Sequence, residues 1–471
     1  MSQFITNLLA ERAGEKFALH EKYLNGQMVR VLRTIGFDRH YARAVGPYLY
    51  DDAGEQYLDL LSGFGTFAVG RNHPKVNAAL REVLDADLPN LAQMDVSPLS
   101  GFLAEALVET APGDSLQKVF FANSGTETVE GAIKLARYAT RRDKIVSLIN
   151  GYHGLTLGSL TITGDQMFRQ GFGSLLPGCS AVPLNDLARL DEALRQRDVA
   201  AFIVEPIQGK GVNIPDDDYL REARRLCTKY GTLFVADEVQ TGLGRTGKMW
   251  AVEHWGVEPD MLLCAKALSG GQAPVGAILS RADVMDAVFD RMDRAVVHGS
   301  TFGKNTMAMA AGLITLKVLR EERLVENAAA IGARLIEDMM PFVGRHEFVK
   351  DVRGKGLMIA LEFGAPKSLK LRASWAMLES ANKSLFSQMV LIPLFERHKV
   401  LAQVAGAGMH VIKLLPALVV SDTDRQWIVS ALDEVIGDCH KVPGAIWNLG
   451  ASLVQHTLAP KRRAGAAVAA E

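Results

Sequence analysis

The run Leu262-Leu263-Cys264-Ala265-Lys266 ends an apolar stretch in a single lysine, and Ser269-Gly270-Gly271 follow as turn residues. Lysine is seldom fully buried unless it is paired or chemically used. A desolvated amine gives up its proton more readily and becomes a nucleophile towards a carbonyl, whereas the same lysine on a surface loop does no chemistry. Asp237 closes a second apolar run, Leu233–Ala236. A carboxylate in such low-dielectric surroundings serves as a cap or ion-pair partner, or as the partner of a cationic ring nitrogen. Ser124-Gly125-Thr126 stands between the apolar run Val119–Ala122 and a helical pattern. Its N–H groups and hydroxyls suit either a phosphate on a helix N-terminus or an ordinary N-cap. Tyr152 and His153 follow the run Ile145–Ile149, and Tyr152 could stack on a flat ring or pack into a core.

These residues lie far apart in the chain, so the elements between them must gather them. From about residue 76 helical patterns alternate with short, continuously apolar runs, each ending in a polar or glycine cluster. That pattern predicts an α/β fold with a parallel sheet covered on both faces. Ligands of open α/β sheets bind at the carboxyl ends of the strands, so the clusters would share one cleft. Residues 1–40 read as a polar helical arm, and Tyr48–Leu60 as a hairpin around Asp51-Asp52-Ala53-Gly54. The small-residue segment Leu61–Gly70 either lets backbone approach a ligand or a second subunit, or is a packed loop. We expect an arm and part of a smaller domain over residues 1–75, a large domain over 76–334, a smaller α/β domain over 335–440, and a C-terminal helix with a disordered tail over 441–471. Ile446, Leu449 and Leu453 would face the body from that helix.

Fifty-two basic and 53 acidic side chains nearly cancel, leaving no electrostatic footprint for nucleic acid. Four cysteines without CxxC spacing read as thiols in a reducing compartment, not as disulfides or metal ligands. No signal-peptide layout and no long uncharged apolar stretch is present, so a cytoplasmic enzyme without a transmembrane segment is expected.

A set of segments, in one order, carries a resemblance. These are Asn123-Ser124-Gly125-Thr126-Glu127, Gly151-Tyr152-His153-Gly154, Val204-Glu205-Pro206-Ile207-Gln208-Gly209, Asp237-Glu238-Val239-Gln240-Thr241-Gly242, Lys266-Ala267-Leu268-Ser269-Gly270-Gly271 and His298-Gly299-Ser300-Thr301-Phe302-Gly303. Over roughly residues 35–440 the chain resembles the class III aminotransferases of the ornithine, acetylornithine and ω-amino type. The resemblance implies fold type I, with a mostly parallel seven-stranded sheet between helices and a smaller α/β domain. It implies pyridoxal 5'-phosphate as cofactor and a Schiff base on Lys266, which then shuttles a proton. By the same resemblance Asp237 pairs with the ring nitrogen, Tyr152 and Val239 cover the two ring faces, and Gln240 reaches the ring hydroxyl. Ser124, Gly125 and Thr126 hold the phosphate, which Thr301 completes from the neighbouring subunit of a homodimer. His153 and Glu205 belong to the cofactor surroundings and Glu130 to the substrate mouth.

The departures from the family pattern concern substrate. Leu155 stands where ornithine-type relatives carry an arginine, Lys413 where an arginine grips a carboxylate, and Lys210 where a glutamate shields that arginine. Phe64 replaces a tyrosine. Lysine attracts a carboxylate but cannot hold it bidentately. The expected substrate is therefore an amine and a carbonyl larger or more apolar than ornithine, such as a lipid, hopanoid or other natural-product carbonyl. Transamination of ornithine, acetylornithine, a diamine or an ω-amino acid with 2-oxoglutarate is the alternative. Racemising or decarboxylating chemistry on the same fold, and a non-catalytic scaffold, are further readings. The apolar stretch Leu385–Val404 either lines a substrate pocket or forms core.

Overall fold

The structure is a computed structural model. It describes residues 3–450 except 93, 94, 382, 384, 407 and 445. Leu453 and the tail from Lys461 lie outside the described residues.

Among the described residues the chain builds three sheets. Strands β1 (Tyr41–Val45), β2 (Tyr48–Asp51) and β3 (Gln56–Asp59) form an antiparallel unit around the expected hairpin turn. The central sheet contains β4 (Lys118–Ala122), β5 (Lys144–Leu148), β6 (Cys179–Val182), β7 (Val199–Val204), β8 (Leu233–Asp237), β9 (Met261–Cys264) and β10 (Gly276–Ser280). Its order is β4-β10-β9-β8-β7-β5-β6, parallel except that β10 runs against both β4 and β9. Strands β6 and β10 escaped the sequence reading, because short strands with small residues carry little periodic signal.

The third sheet joins β11 (Val349–Lys355), β12 (Met358–Phe363) and β15 (Val411–Leu414) to the short β14 (Gln403–Val404), all antiparallel. Just before β14, β13 (Val400–Leu401) pairs parallel with β3. Backbone bonds Leu60 N to Leu401 O and Leu415 N to Leu60 O, both 2.8 Å, continue this weld. The N-terminal hairpin is thereby attached to the C-terminal smaller domain, which fixes where the Phe64 segment lies.

Alternation along the central strands decides the layers. Phe202 and Val204 of β7, Phe234 and Ala236 of β8, and Leu262 and Cys264 of β9 belong to one apolar cluster. Ala201, Ile203, Val235, Met261 and Leu263 point to the other face, where the helix Gly125–Thr140 packs with Val129, Ala132, Ile133 and Ala136. A strand side chain alternates with period two, so a strand buried on both faces must be apolar throughout.

The helix Leu385–Glu396 corrects the pocket reading of residues 385–404. Phe386, Met389, Leu391, Ile392, Leu394 and Phe395 are all buried. Phe386 packs against Phe348, Trp375 and Phe363, with centroid distances of 4.7, 4.8 and 5.2 Å. A helix apolar all round is buried all round, so this one fills the smaller domain's core.

Candidate active site

Lys266 follows β9 directly and has φ of +29°, outside the regions an L-residue favours. Such backbone is held in place by its surroundings and clusters at functional sites. The residue is partly accessible from the cleft, while protein surrounds its amine. Burial lowers its pKa, opposed by the charges of Asp237 and Glu205. A larger neutral fraction follows, as nucleophilic work requires.

Asp237, the last residue of β8, is oriented at both oxygens. His153 Nδ1 donates to Oδ2 at 2.7 Å and Val239 N donates to Oδ1 at 3.1 Å. His153 is buried. Desolvation works against its charge, but the hydrogen bond and charge of Asp237 prevail and raise its pKa. Its Nε2 is buried without a hydrogen-bond partner in the chain, and its N–H donates to Thr163 Oγ1 at 3.1 Å. Glu205, just past β7, accepts from Tyr152 N and Gly209 N, both at 2.8 Å. Burial raises its pKa. Tyr152 remains 37% exposed, with Phe168 edge-on at 5.5 Å.

The turn after β4 leads into the helix Gly125–Thr140, where Ser124 Oγ caps Glu127 N at 3.2 Å. A Cβ on Gly125 would lie 2.7 Å from Val239 Cγ1, which puts the turn directly against Val239. Gly154, at φ +125°, lies so close to Thr126 that a Cβ would sit 2.4 Å from its Oγ1. The Thr126 hydroxyl shares hydrogen bonds with Thr156 Oγ1 (2.7 Å) and Ser159 Oγ (2.6 Å). Glu130 Oε1 accepts from Gly158 N (2.9 Å) and Ser159 N (3.1 Å), so it caps the short helix Leu157–Ile162.

A second network links the smaller domain to this cluster. Lys413 Nζ, from β15, donates to Gly209 O at 2.7 Å and to Gln240 Oε1 at 3.2 Å. Gln240 Nε2 donates to Phe64 O at 2.9 Å. Lys413 is 5% exposed, and burial together with repulsion from Lys266 lowers its pKa to about 8. Lys210 pairs with Asp165. Leu155 is 53% exposed on the loop after Tyr152. Thr301 is exposed and makes no hydrogen bond to the cluster within the chain, although Ser300 beside it accepts from Asn123 Nδ2 at 2.6 Å. The sequence reading did not single out Asp165, Thr163, Ser159 or Phe168. Each lies in a loop or short helix whose position only the tertiary structure provides.

Residues 34–436 match the aminotransferase class-III family. This chain belongs to the class-III aminotransferases. It is similar to aminotransferase PigE of Serratia sp., 34% identical over 466 residues, which cover 92% of this chain and 54% of the relative. The chain thus spans about half the length of that relative. It is 40% identical over 364 residues to a putrescine aminotransferase of Pectobacterium atrosepticum, covering 74% of this chain and 77% of the relative. Among solved structures it is similar to the ornithine aminotransferase of Toxoplasma gondii, with a TM-score of 0.78 and 29% identity over 92% of this chain and 99% of that one. That structure carries partial occupancy of PLP at its active site.

The transaminase class implies pyridoxal phosphate, and the residues present fit it. Among the described residues Gly125 N and Thr126 N have no acceptor, at the start of a long helix where an anion is favoured. A lysine amine, an oriented carboxylate and a part-exposed tyrosine belong to one cluster, since Lys266 feels the charges of Asp237 and Glu205 and Glu205 accepts from Tyr152 N.

Proposed function

We propose that the enzyme moves an amino group from an amine donor to an aldehyde or ketone acceptor that is larger or more apolar than ornithine, a lipid or other natural-product carbonyl being the model case. One observation carries the substrate reading. Both lysines that could receive a substrate carboxylate are already engaged, Lys210 by Asp165 and Lys413 by Gly209 O and Gln240. Leu155 adds no charge nearby.

Bound pyridoxal 5'-phosphate supplies an aldehyde for an amine and a ring that draws electrons from the substrate carbon. Lys266 serves as the nucleophilic amine and carries the proton to and from that carbon. Asp237, aimed by His153 and Val239 N–H, holds a proton on the ring nitrogen. Tyr152 and Val239 would hold the ring and Ser124, Gly125 and Thr126 the phosphate, while Gln240, oriented by Lys413 and Phe64 O, would serve the ring hydroxyl. Glu205 fixes the Tyr152 backbone and biases the charge of His153. Thr301 of the partner subunit completes the phosphate site in a homodimer. In a ping-pong cycle the deaminated donor leaves before the acceptor enters. The unpaired cysteines among the described residues support a reducing, cytoplasmic setting.

A panel of amine donors and carbonyl acceptors tests the reading. Preference for alkyl amines and apolar aldehydes is expected. Clear preference for ornithine or acetylornithine with 2-oxoglutarate would sink the substrate reading. The similarity to a putrescine aminotransferase favours a diamine as the second reading, and turnover of putrescine above hexylamine would select it.

A further inference from the structure

The segment between Asp165 and Leu176 carries Phe168, which meets the Tyr152 ring edge-on. It is tied down at its two ends. Asp165 caps the short helix Gln166–Arg169 by accepting from Met167 N at 2.9 Å, and it pairs with Lys210. At the far end Leu176 N donates to Thr161 Oγ1 at 3.0 Å. Residues 170–174 between these anchors are exposed. Both members of the ion pair are largely shielded, with side-chain exposures of 13% for Lys210 and 15% for Asp165, so it is screened less than a surface pair. Burial opposes the charge on Asp165, but Lys210 outweighs it and lowers its pKa.

Lys210 also lies under the C-terminal loop. A Cβ on Gly406 would meet its Cε at 2.6 Å, and Met409 Sδ at 3.1 Å. One side chain therefore joins the loop after β7, Gly406 of the smaller domain and the start of the 165–176 segment. This segment turns Phe168 edge-on to the Tyr152 ring, at 5.5 Å and 73°.

We propose that Phe168 is a specificity-determining residue, a wall beside Tyr152 that admits amines with an unbranched carbon next to nitrogen, and that the Asp165–Lys210 pair is its positioning latch. This rests on the transaminase site described above and adds how that site ranks substrates. An edge-on ring contact fixes the wall's distance from Tyr152. A wall set by a latch shifts as a unit when the latch is cut, so truncating Phe168 and breaking the pair alter selectivity in the same direction.

The experiment compares kcat/KM for hexylamine with that for 1-phenylethylamine, which is branched at the carbon bearing nitrogen. It uses wild-type holoenzyme, Phe168→Ala, Phe168→Leu, Asp165→Asn, Lys210→Met and the conservative variant Lys210→Arg, which keeps the charge and leaves the Asp165 cap in place. Folding is checked by Tm and by the bound cofactor's absorbance. The ratio favouring hexylamine should fall about tenfold in Phe168→Ala. It should fall less in Phe168→Leu, fall in Asp165→Asn and Lys210→Met, and stay near the wild-type value in Lys210→Arg. Trypsin cleavage after Arg169 is the readout independent of turnover. It should accelerate several-fold in Asp165→Asn and Lys210→Met with Tm unchanged, and stay at the wild-type rate in Lys210→Arg. An unchanged ratio in both Phe168 variants, with turnover retained, overturns the wall. Unchanged cleavage in both latch variants overturns the latch. Absence of transfer from every amine in the wild type defeats the functional reading instead, and the cleavage arm still judges the latch.

Discussion

Replacing Lys413 by methionine separates two roles this side chain could have. As described, its ammonium organises the site by donating to Gly209 O at 2.7 Å and to Gln240 Oε1 at 3.2 Å. Hydrogen bonds from a charged donor contribute about 1.5–3 kcal/mol each, so losing both costs roughly 3–6 kcal/mol. Burial works the other way. It brings Lys413 from 10.5 to about 8, which corresponds to roughly 3 kcal/mol against the charged form. Methionine keeps the apolar stem and removes that penalty, so a net loss of about 1–2 kcal/mol is expected, visible as a Tm lowered by a few degrees. Catalysis should suffer more evenly. With one of its two tethers gone, Gln240 wanders, and kcat/KM should drop by a similar factor for acceptors with and without a carboxylate. The Lys413–Gln240 contact predicts a coupling of about 1 kcal/mol, so Lys413→Met/Gln240→Leu should be about fivefold less impaired than the product of the single variants. The assay is initial-rate kinetics on matched acceptors such as hexanal, pyruvate and 2-oxoglutarate. If KM rose more than about tenfold for the two keto acids while hexanal was unaffected, Lys413 would be gripping substrate carboxylates, and the reasoning from its engaged hydrogen bonds would be wrong.

The same lysine makes a pH prediction. Its folded pKa, about 8, lies below its ordinary 10.5, so between those values the unfolded chain binds more protons and stability rises with pH; denaturant midpoints of the wild type relative to Lys413→Met should show that rise and no difference in slope below pH 8. Asp237→Asn should lower kcat/KM by about 10²–10³ or more with the fold intact, checked by stopped-flow half-reactions. Lys266→Ala should abolish turnover while circular dichroism and Tm stay close to wild type, since the residue lies at a strained turn and not in the core. Phe386→Ala should cost about 3–5 kcal/mol of stability in denaturant melts and leave the substrate ranking unaltered, because Phe386 packs among Phe348, Trp375 and Phe363.

Much of the central domain was legible because its signal is local. Continuous apolar runs such as Ala201–Val204 and Leu233–Ala236 leave few options but strands buried on both faces, and the polar residues that end them mark one edge of the sheet. The helix Leu385–Glu396 was ambiguous for the opposite reason. An apolar stretch looks the same whether it faces a ligand or the Trp375 and Phe348 rings, and only packing distinguishes the two. Strand β10 carried no distinguishing pattern, and its reversed direction depends on pairing with β4 and β9.

The reaction class was legible in the sequence through its resemblance to the class III aminotransferases, carried by ordered segments that include Lys266, Asp237, Tyr152 and Ser124-Gly125-Thr126, whereas each residue alone left a purely structural reading open. The tertiary structure decided what the departing residues do. Whether Lys210 and Lys413 are free cations depends on Asp165, Gly209 and Gln240, which are 45, 204 and 173 positions away from them. Hydrogen bonds and ion pairs act over a few ångströms of space regardless of separation along the chain, so residue identity alone could not reveal that both charges were already engaged.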